Sequence, residues 1–212
     1  MDAVYILGTG SLANNEELRY SVRALSEYMT DLRDVYIVGE DPGFLPGVVH
    51  IPSSDYSPDK WRNAYNKIVR ACAIPDLSEE FLLMNDDFFM LAPFEGATLP
   101  FYALQGSNGG TCGPHSFHVH CPIRISKELY PKMPFSLEQK ACRSPRSFYG
   151  NFYRVPPKFG SDYILRVGPV MRPIEEQINK WPFFSVGDSA MLNKPFRDWL
   201  ALRFPVPSRY EK

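Results

Sequence analysis

Two adjacent carboxylates, Asp86 and Asp87, stand in the middle of the apolar stretch FLLMNDDFFML at 81–91, with Asn85 just before them. Acids between apolar runs either mark a turn or need a partner, because a buried charge without one is costly. A divalent cation is an economical partner, since hard cations take oxygen ligands. Near the start, GTGS at 8–11 follows another apolar run. Gly8 and Gly10 on either side of Thr9 let the backbone approach a ligand closely. The full dinucleotide or P-loop fingerprint is missing, so an ordinary strand-to-helix turn reads equally well.

Three of the four histidines, His115, His118 and His120, fall within six residues. In an extended segment only His118 and His120 share a face, which argues against a zinc site. A single histidine acting as general base or holding a phosphate is the better reading, with an exposed loop histidine as the plain alternative. Arg143 and Arg146 bracket a Ser-Pro pair and could clamp an anion, or be surface charges.

The elements that would position these residues follow from periodicity. Residues 3–7, 35–38, 48–51 and 81–84 read as strands. Leu18, Val22, Leu25 and Met29 recur at helical spacing; Asn14 is the expected N-cap, and Glu16 and Glu17 suit the positive helix end. A second helix is expected over about 59–73, with Tyr65, Ile68, Val69 and Cys72 inward. Strand, helix, strand, strand, helix, strand predicts an α/β fold, a Rossmann-type mixed, mostly parallel sheet flanked by helices. Ligands of such sheets sit at the carboxyl ends of the strands, which is where GTGS and NDD fall. After residue 95 the pattern weakens, yet no linker composition appears. The expectation is one domain over 1–212, with 1–95 binding the donor and 96–212 serving the acceptor.

Of 212 residues, 44% are hydrophobic and 22% charged, ordinary for a globular chain. The net charge of −1 gives no broad electrostatic case for nucleic acid or acidic membrane. No apolar run reaches the ~18 residues of a membrane-spanning helix. The start MDAVYILGTG lacks a basic leader, and Cys72, Cys112, Cys121 and Cys142 show no CxxC spacing, so a cytoplasmic protein with reduced thiols is expected.

Four blocks, in order, resemble the Stealth family of sugar-phosphate transferases. They are NNEELRYSVRALSEYMTDLRDVYIV, IPDLSEEFLLMNDDFFM, HVHCPIRISKELY, and FFSVGD followed by RFPVPSRYEK. The resemblance implies a GT-A-like core, a nucleotide-sugar donor, Mg²⁺ or Mn²⁺, and transfer of a sugar 1-phosphate to an acceptor hydroxyl. Carried over, Asp86 and Asp87 would hold the metal and diphosphate, and His120 would activate the acceptor. Arg143 or Arg146 would balance phosphate charge, and Asp188 would be the acid of the last block. Gly8, Thr9, Gly10, Arg19, Lys60, Asn63 and Asn85 make up the expected substrate-binding set.

Two positions depart from the family pattern: Thr9 stands where an acid or amide belongs, and Gly187 where the last block has Asn. Three functions therefore stand side by side. The first is sugar-phosphate transfer; the second is plain glycosyl transfer, to a glycan or a modified DNA base; the third is a non-catalytic sugar-nucleotide or glycan binder. Basic residues Arg124, Lys127, Lys140, Arg143, Arg146, Arg154, Lys158 and Arg166, interleaved with Phe148, Tyr149, Phe152 and Tyr153, are what a DNA acceptor would use.

Overall fold

The computed structural model describes residues 1–106, 113–117, 119–135, 144–167, 174–178, 180–187 and 189–212. Its centre is β1 (Asp2–Leu7), a run with almost no exposed side chain on either face. A strand apolar on both faces belongs inside a parallel sheet. β1 pairs in parallel with β2 (Val35–Gly39) on one side and β4 (Glu80–Met84) on the other. β3 (Val49–Pro52) extends the sheet beyond β2, again in parallel. Helices α1 (Glu16–Tyr28) and α2 (Lys60–Cys72) make the crossovers.

Alternation along the strands sorts the core into two layers. Tyr5, Leu82 and Met84 join the cluster of Leu18, Val22 and Leu25 from α1. Val4, Phe81 and Leu83 join the cluster of Ile68, Ala71 and Cys72 from α2. Tyr65 and Val69, expected inward, are only partly buried against that second cluster. The two crossover helices thus cover opposite faces of one sheet. This is the mixed, mostly parallel α/β fold expected from the pattern.

Past β4 the chain changes sheets. β5 (Phe88–Met90) is separated from β4 by three residues and lies antiparallel to β11 (Phe183–Val186), which is joined by β10 (Ile164–Leu165). Among the described residues the second half returns to the main sheet only through β8 (Ile123–Ser126), antiparallel to β4. A third small sheet holds β6 (Tyr102–Gln105), β7 (His115–Ser116) and β9 (Lys158–Phe159). The second half also carries helices α3 (Pro145–Phe152), α4 (Ile174–Ile178) and α5 (Lys194–Arg203). Among the described residues no helix is long and apolar enough to cross a membrane. Cys72 and Cys121 are free and buried, and burial pushes both thiols up to about 12. Cys112 and Cys142 lie outside the described residues.

Two local details differ from the sequence reading. The N-cap of α1 is Asn15, not Asn14, and both adopt left-handed backbone, φ 59° and 53°. Asparagine tolerates that region better than most residues. The cap residue makes no side-chain cap hydrogen bond; the Ser11 hydroxyl instead holds the loop before the helix, accepting the N–H groups of Ala13 and Asn15. At the end of β2, Gly39 sits at φ +143°, where a Cβ would come 1.8 Å from the carbonyl oxygen of Leu7. Only glycine lets β2 end so close to β1.

The final residues clasp α1. Glu211, 5% exposed, accepts from Arg23 at 2.7 and 2.8 Å and from Arg19 at 3.1 Å, and closes a capping box with Ser208. Burial alone would raise its pKa, but these donors bring it down to about 2. A depressed carboxyl stabilises the fold above the unfolded pKa and loses that contribution as pH falls through the folded one. Glu211→Gln is therefore expected to lower stability by about 2 kcal/mol at pH 7. Urea unfolding across pH should show the gap between the two proteins shrinking from about pH 4.5 downward; a gap that stays constant would exclude the ion pairs as its source.

Candidate active site

The carboxyl ends of β1, β4 and β11 converge on one cleft of about 500 Å³. Gly8, Thr9, Gly10 and Ser11 line it from β1, Asn85, Asp86 and Asp87 from β4, and Val186 and Gly187 from β11. A second lobe of about 410 Å³ shares Asn85, Asp87, Lys60 and Gly187 and adds Trp61, His120, Arg146 and Ile164. The NDD turn and the start of α2 thus form the partition between two lobes.

Asn85, Asp86 and Asp87 do not lie within a strand; they are the turn from β4 to β5, closed by the Phe88 N–H on the Asn85 carbonyl at 3.3 Å. Each flank of that turn is braced by a distant residue. Ser185 on β11 donates to Asp87 Oδ2 at 2.6 Å. The Ser21 hydroxyl of α1 donates to the Phe88 carbonyl at 2.5 Å, and the Tyr5 hydroxyl meets Ser21 at 3.0 Å. Arg146 donates to Asn85 Oδ1 at 2.6 Å. Asp87 Oδ1 is buried without a hydrogen-bond partner among the described residues. Burial pushes the Asp87 carboxyl up, against the pull of Ser185, His120 and Arg146.

Arg146 lies in the first turn of α3, which Ser144 caps by accepting the Ser147 N–H. It is 5% exposed and also donates to the Cys121 carbonyl at 3.0 Å, with its guanidinium 5.0 Å from the centre of the Phe88 ring. Burial lowers its pKa, while Cys121 and Asp87 act the other way. Guanidinium remains a cation in proteins. Its direct bonds are to neutral oxygens, so a buried positive charge is left for an anion at the partition.

His120 also takes left-handed backbone, φ +50°, and its Nδ1 pairs with Asp162 Oδ1 at 2.6 Å. A carboxylate that accepts from Nδ1–H fixes the tautomer whose Nε2 carries the lone pair. Strained backbone of this kind clusters at functional sites. Asp162 has no sequence signal of its own: it is one acid in a Gly-Ser-Asp-Tyr segment, 42 residues from its partner.

The other expected residues divide. Gly8, Thr9, Gly10, Lys60, Asn63, Asn85, Asp86 and Asp87 line the cleft. The Asn63 amide is taken up by the Ser57 backbone, donating at 2.7 Å and accepting at 3.1 Å, so it holds the loop before α2. Arg19 stands apart from the cleft, ion-paired to Glu211 with its guanidinium 4.2 Å from the Phe44 ring centre. The reason is helical geometry: Glu17 faces the cleft, and two residues on is about 200° around the helix. Arg143, Asp188 and His118 lie outside the described residues.

Lys67 was missed by periodicity. It is 4% exposed on the inner face of α2 and donates to the Leu7 carbonyl at 2.7 Å and to Asp55 at 2.6 Å, beneath Gly8. A lysine among inward positions of α2 was the available sign. Three of the basic residues of the second half are engaged within the fold. Arg146 is buried, Lys127 donates to the carbonyls of Pro75 and Leu77, and Arg124 to that of Ala97. Phe148 stacks on Phe152, and Phe152 packs edge-on against Tyr153. Lys140 lies outside the described residues.

The pair Asp86–Asp87, with its unpartnered buried oxygen, is a hard-oxygen donor set that fits Mg²⁺ or Mn²⁺. Magnesium in particular is held by one or two carboxylates and completes its shell with water and phosphate. Among the described residues no three His, Cys, Asp or Glu side chains converge as a metal site.

No family model matches the chain. Over 100 residues it is 33% identical to a capsular polysaccharide phosphotransferase of Neisseria meningitidis serogroup B, covering 42% of this chain and 27% of that protein. Over 82 residues it is 32% identical to the capsular polysaccharide phosphotransferase WcwK of Streptococcus pneumoniae, covering 34% of this chain and 24% of that one. The matches thus span about a quarter of these relatives' length. Among solved structures, the apo-form glycosyltransferase GlyE of Streptococcus pneumoniae TIGR4 superposes with a TM-score of 0.50 at 10% identity, over 98% of this chain and 65% of that one, a likeness of fold.

Proposed function

We propose that the protein is a Stealth-type transferase that takes a nucleotide-sugar donor and moves a sugar 1-phosphate to the hydroxyl of a glycan acceptor. The observation that carries this reading is the partition itself. A carboxylate pair, a buried arginine and a histidine–aspartate dyad meet where two lobes join. The partial matches to capsular polysaccharide phosphotransferases support it. The larger lobe would hold the nucleotide, and the lobe with Trp61 and His120 the acceptor.

The chain's own residues divide the work. His120 Nε2 takes the proton of the acceptor hydroxyl, while Asp162 holds Nδ1–H and steadies the imidazolium that forms. The acceptor oxygen bonds to the sugar-linked phosphorus as the bond to the nucleoside phosphate breaks, and nucleoside monophosphate leaves. Arg146 faces the charge that develops on the phosphoryl oxygens, from a dry position where such a contact counts most. Mg²⁺ or Mn²⁺ held by Asp86 and Asp87 would neutralise the diphosphate. The departures at Thr9 and Gly187, both on the cleft wall, favour one second reading: cleavage at the sugar's anomeric carbon with release of nucleoside diphosphate.

The test is to incubate the protein with a nucleotide-sugar panel, Mn²⁺ and capsular oligosaccharide acceptors, and to identify the released nucleotide. Monophosphate is expected; diphosphate establishes glycosyl transfer, and absence of turnover with every donor and acceptor would overturn the enzymatic reading. Asp87→Asn should cost at least ~100-fold in rate. Asp162→Asn should slow turnover on the order of 100-fold with donor KM unchanged, and should move the acid limb of the pH–rate profile. A wild-type profile in that variant would remove Asp162 from the mechanism.

A further inference from the structure

Glu17 is the second residue of α1 and is 8% exposed, and its Oε2 is buried with no hydrogen-bond partner among the described residues. It lines the larger lobe together with the Gly8–Ser11 loop and the NDD turn. One helical turn further on, Ser21 touches the Phe88 carbonyl next to Asp87. A buried carboxylate can only accept hydrogen bonds, and leaving it unpaired is costly.

Two internal explanations fall short. A first-turn acid suits the positive end of α1, but no described N–H is bonded to the Glu17 Oε2. Nor is Glu17 placed to share a cation with Asp86 and Asp87, since no three metal-type side chains converge among the described residues. What remains is a ligand that brings neutral donors. An anion is excluded by the carboxylate's own charge. A vicinal diol fits, because its two O–H groups can meet the two oxygens of one carboxylate.

Resting on the nucleotide-sugar reading above, we propose that Glu17 binds the ribose of the donor nucleotide, accepting from its 2′- and 3′-hydroxyls. The diphosphate belongs at the partition, with Asp86, Asp87 and Arg146. The ribose is the next group along the nucleotide into the larger lobe, which is where Glu17 stands. The site then rejects deoxynucleotides, because they leave a buried acceptor unmatched.

The experiment is calorimetric titration of the wild type and of Glu17→Gln with ADP, GDP, CDP and UDP and their 2′-deoxy forms, in Mn²⁺. These probes carry no transferred sugar, so any discrimination belongs to the ribose. The wild type should bind its preferred ribonucleotide about tenfold tighter than the deoxy form. In Glu17→Gln the ratio should fall towards one, with the deoxy form bound about as well as by the wild type. A wild-type ratio near one overturns the proposal even if the variant does not fold. A ratio that survives in folded Glu17→Gln overturns it too, with the donor reading intact. If no nucleoside diphosphate binds the wild type at all, the donor reading falls and takes this assignment with it.

Discussion

The chain has three residues, Asn85 to Asp87, in which to pass from one sheet to another, and those three carry the carboxylates. β4 ends in the main parallel sheet and β5 begins in the antiparallel sheet with β11. The relative placement of the two sheets is therefore set across a single turn. Each neighbour of the turn grips it from a different side: Arg146 holds Asn85, Ser185 holds Asp87 and Ser21 holds Phe88. Polar groups in a dry setting must be matched, and here the matching partners also fix the geometry. Scaffold and candidate site are one object at this point.

That arrangement explains how charge is tolerated in so apolar a region. Burial pushes the Asp87 carboxyl up and the Arg146 guanidinium down, and the opposite charge of each works against the shift of the other. A buried charge held in this balance is poised for a ligand that completes it. At the floor of the larger lobe the ion pair of Lys67 and Asp55 ties α2 to the end of β1 and sits tight under Gly8.

The main sheet, both crossover helices and the acidic turn were legible in the sequence because they rest on local periodicity and on where strands end. What was not legible rests on partners far away in the chain. Ser185 meets Asp87 across 98 residues, and Asp162 meets His120 across 42; neither has a motif. FLLMNDDFFML reads as one apolar stretch around a charged pair because β4 and β5 are equally buried, so composition does not reveal that the chain changes sheets. Arg19 went astray for another reason. Its residue type suits a phosphate, but the face of α1 it occupies is claimed by Glu211 near the end of the chain. The Stealth-like blocks group residues by order, and order does not say which face a helix turns inward.

The left-handed backbone at His120 limits which residues the position can sample. A β-branched side chain is a steric outlier at φ +50°, and most others pay a conformational penalty there whatever their chemistry. Mutational drift away from histidine is therefore filtered by backbone shape before it is filtered by catalysis. Asparagine is among the residues most at home in this region, so it can remove the imidazole while leaving the chain path between Val119 and Cys121 in place.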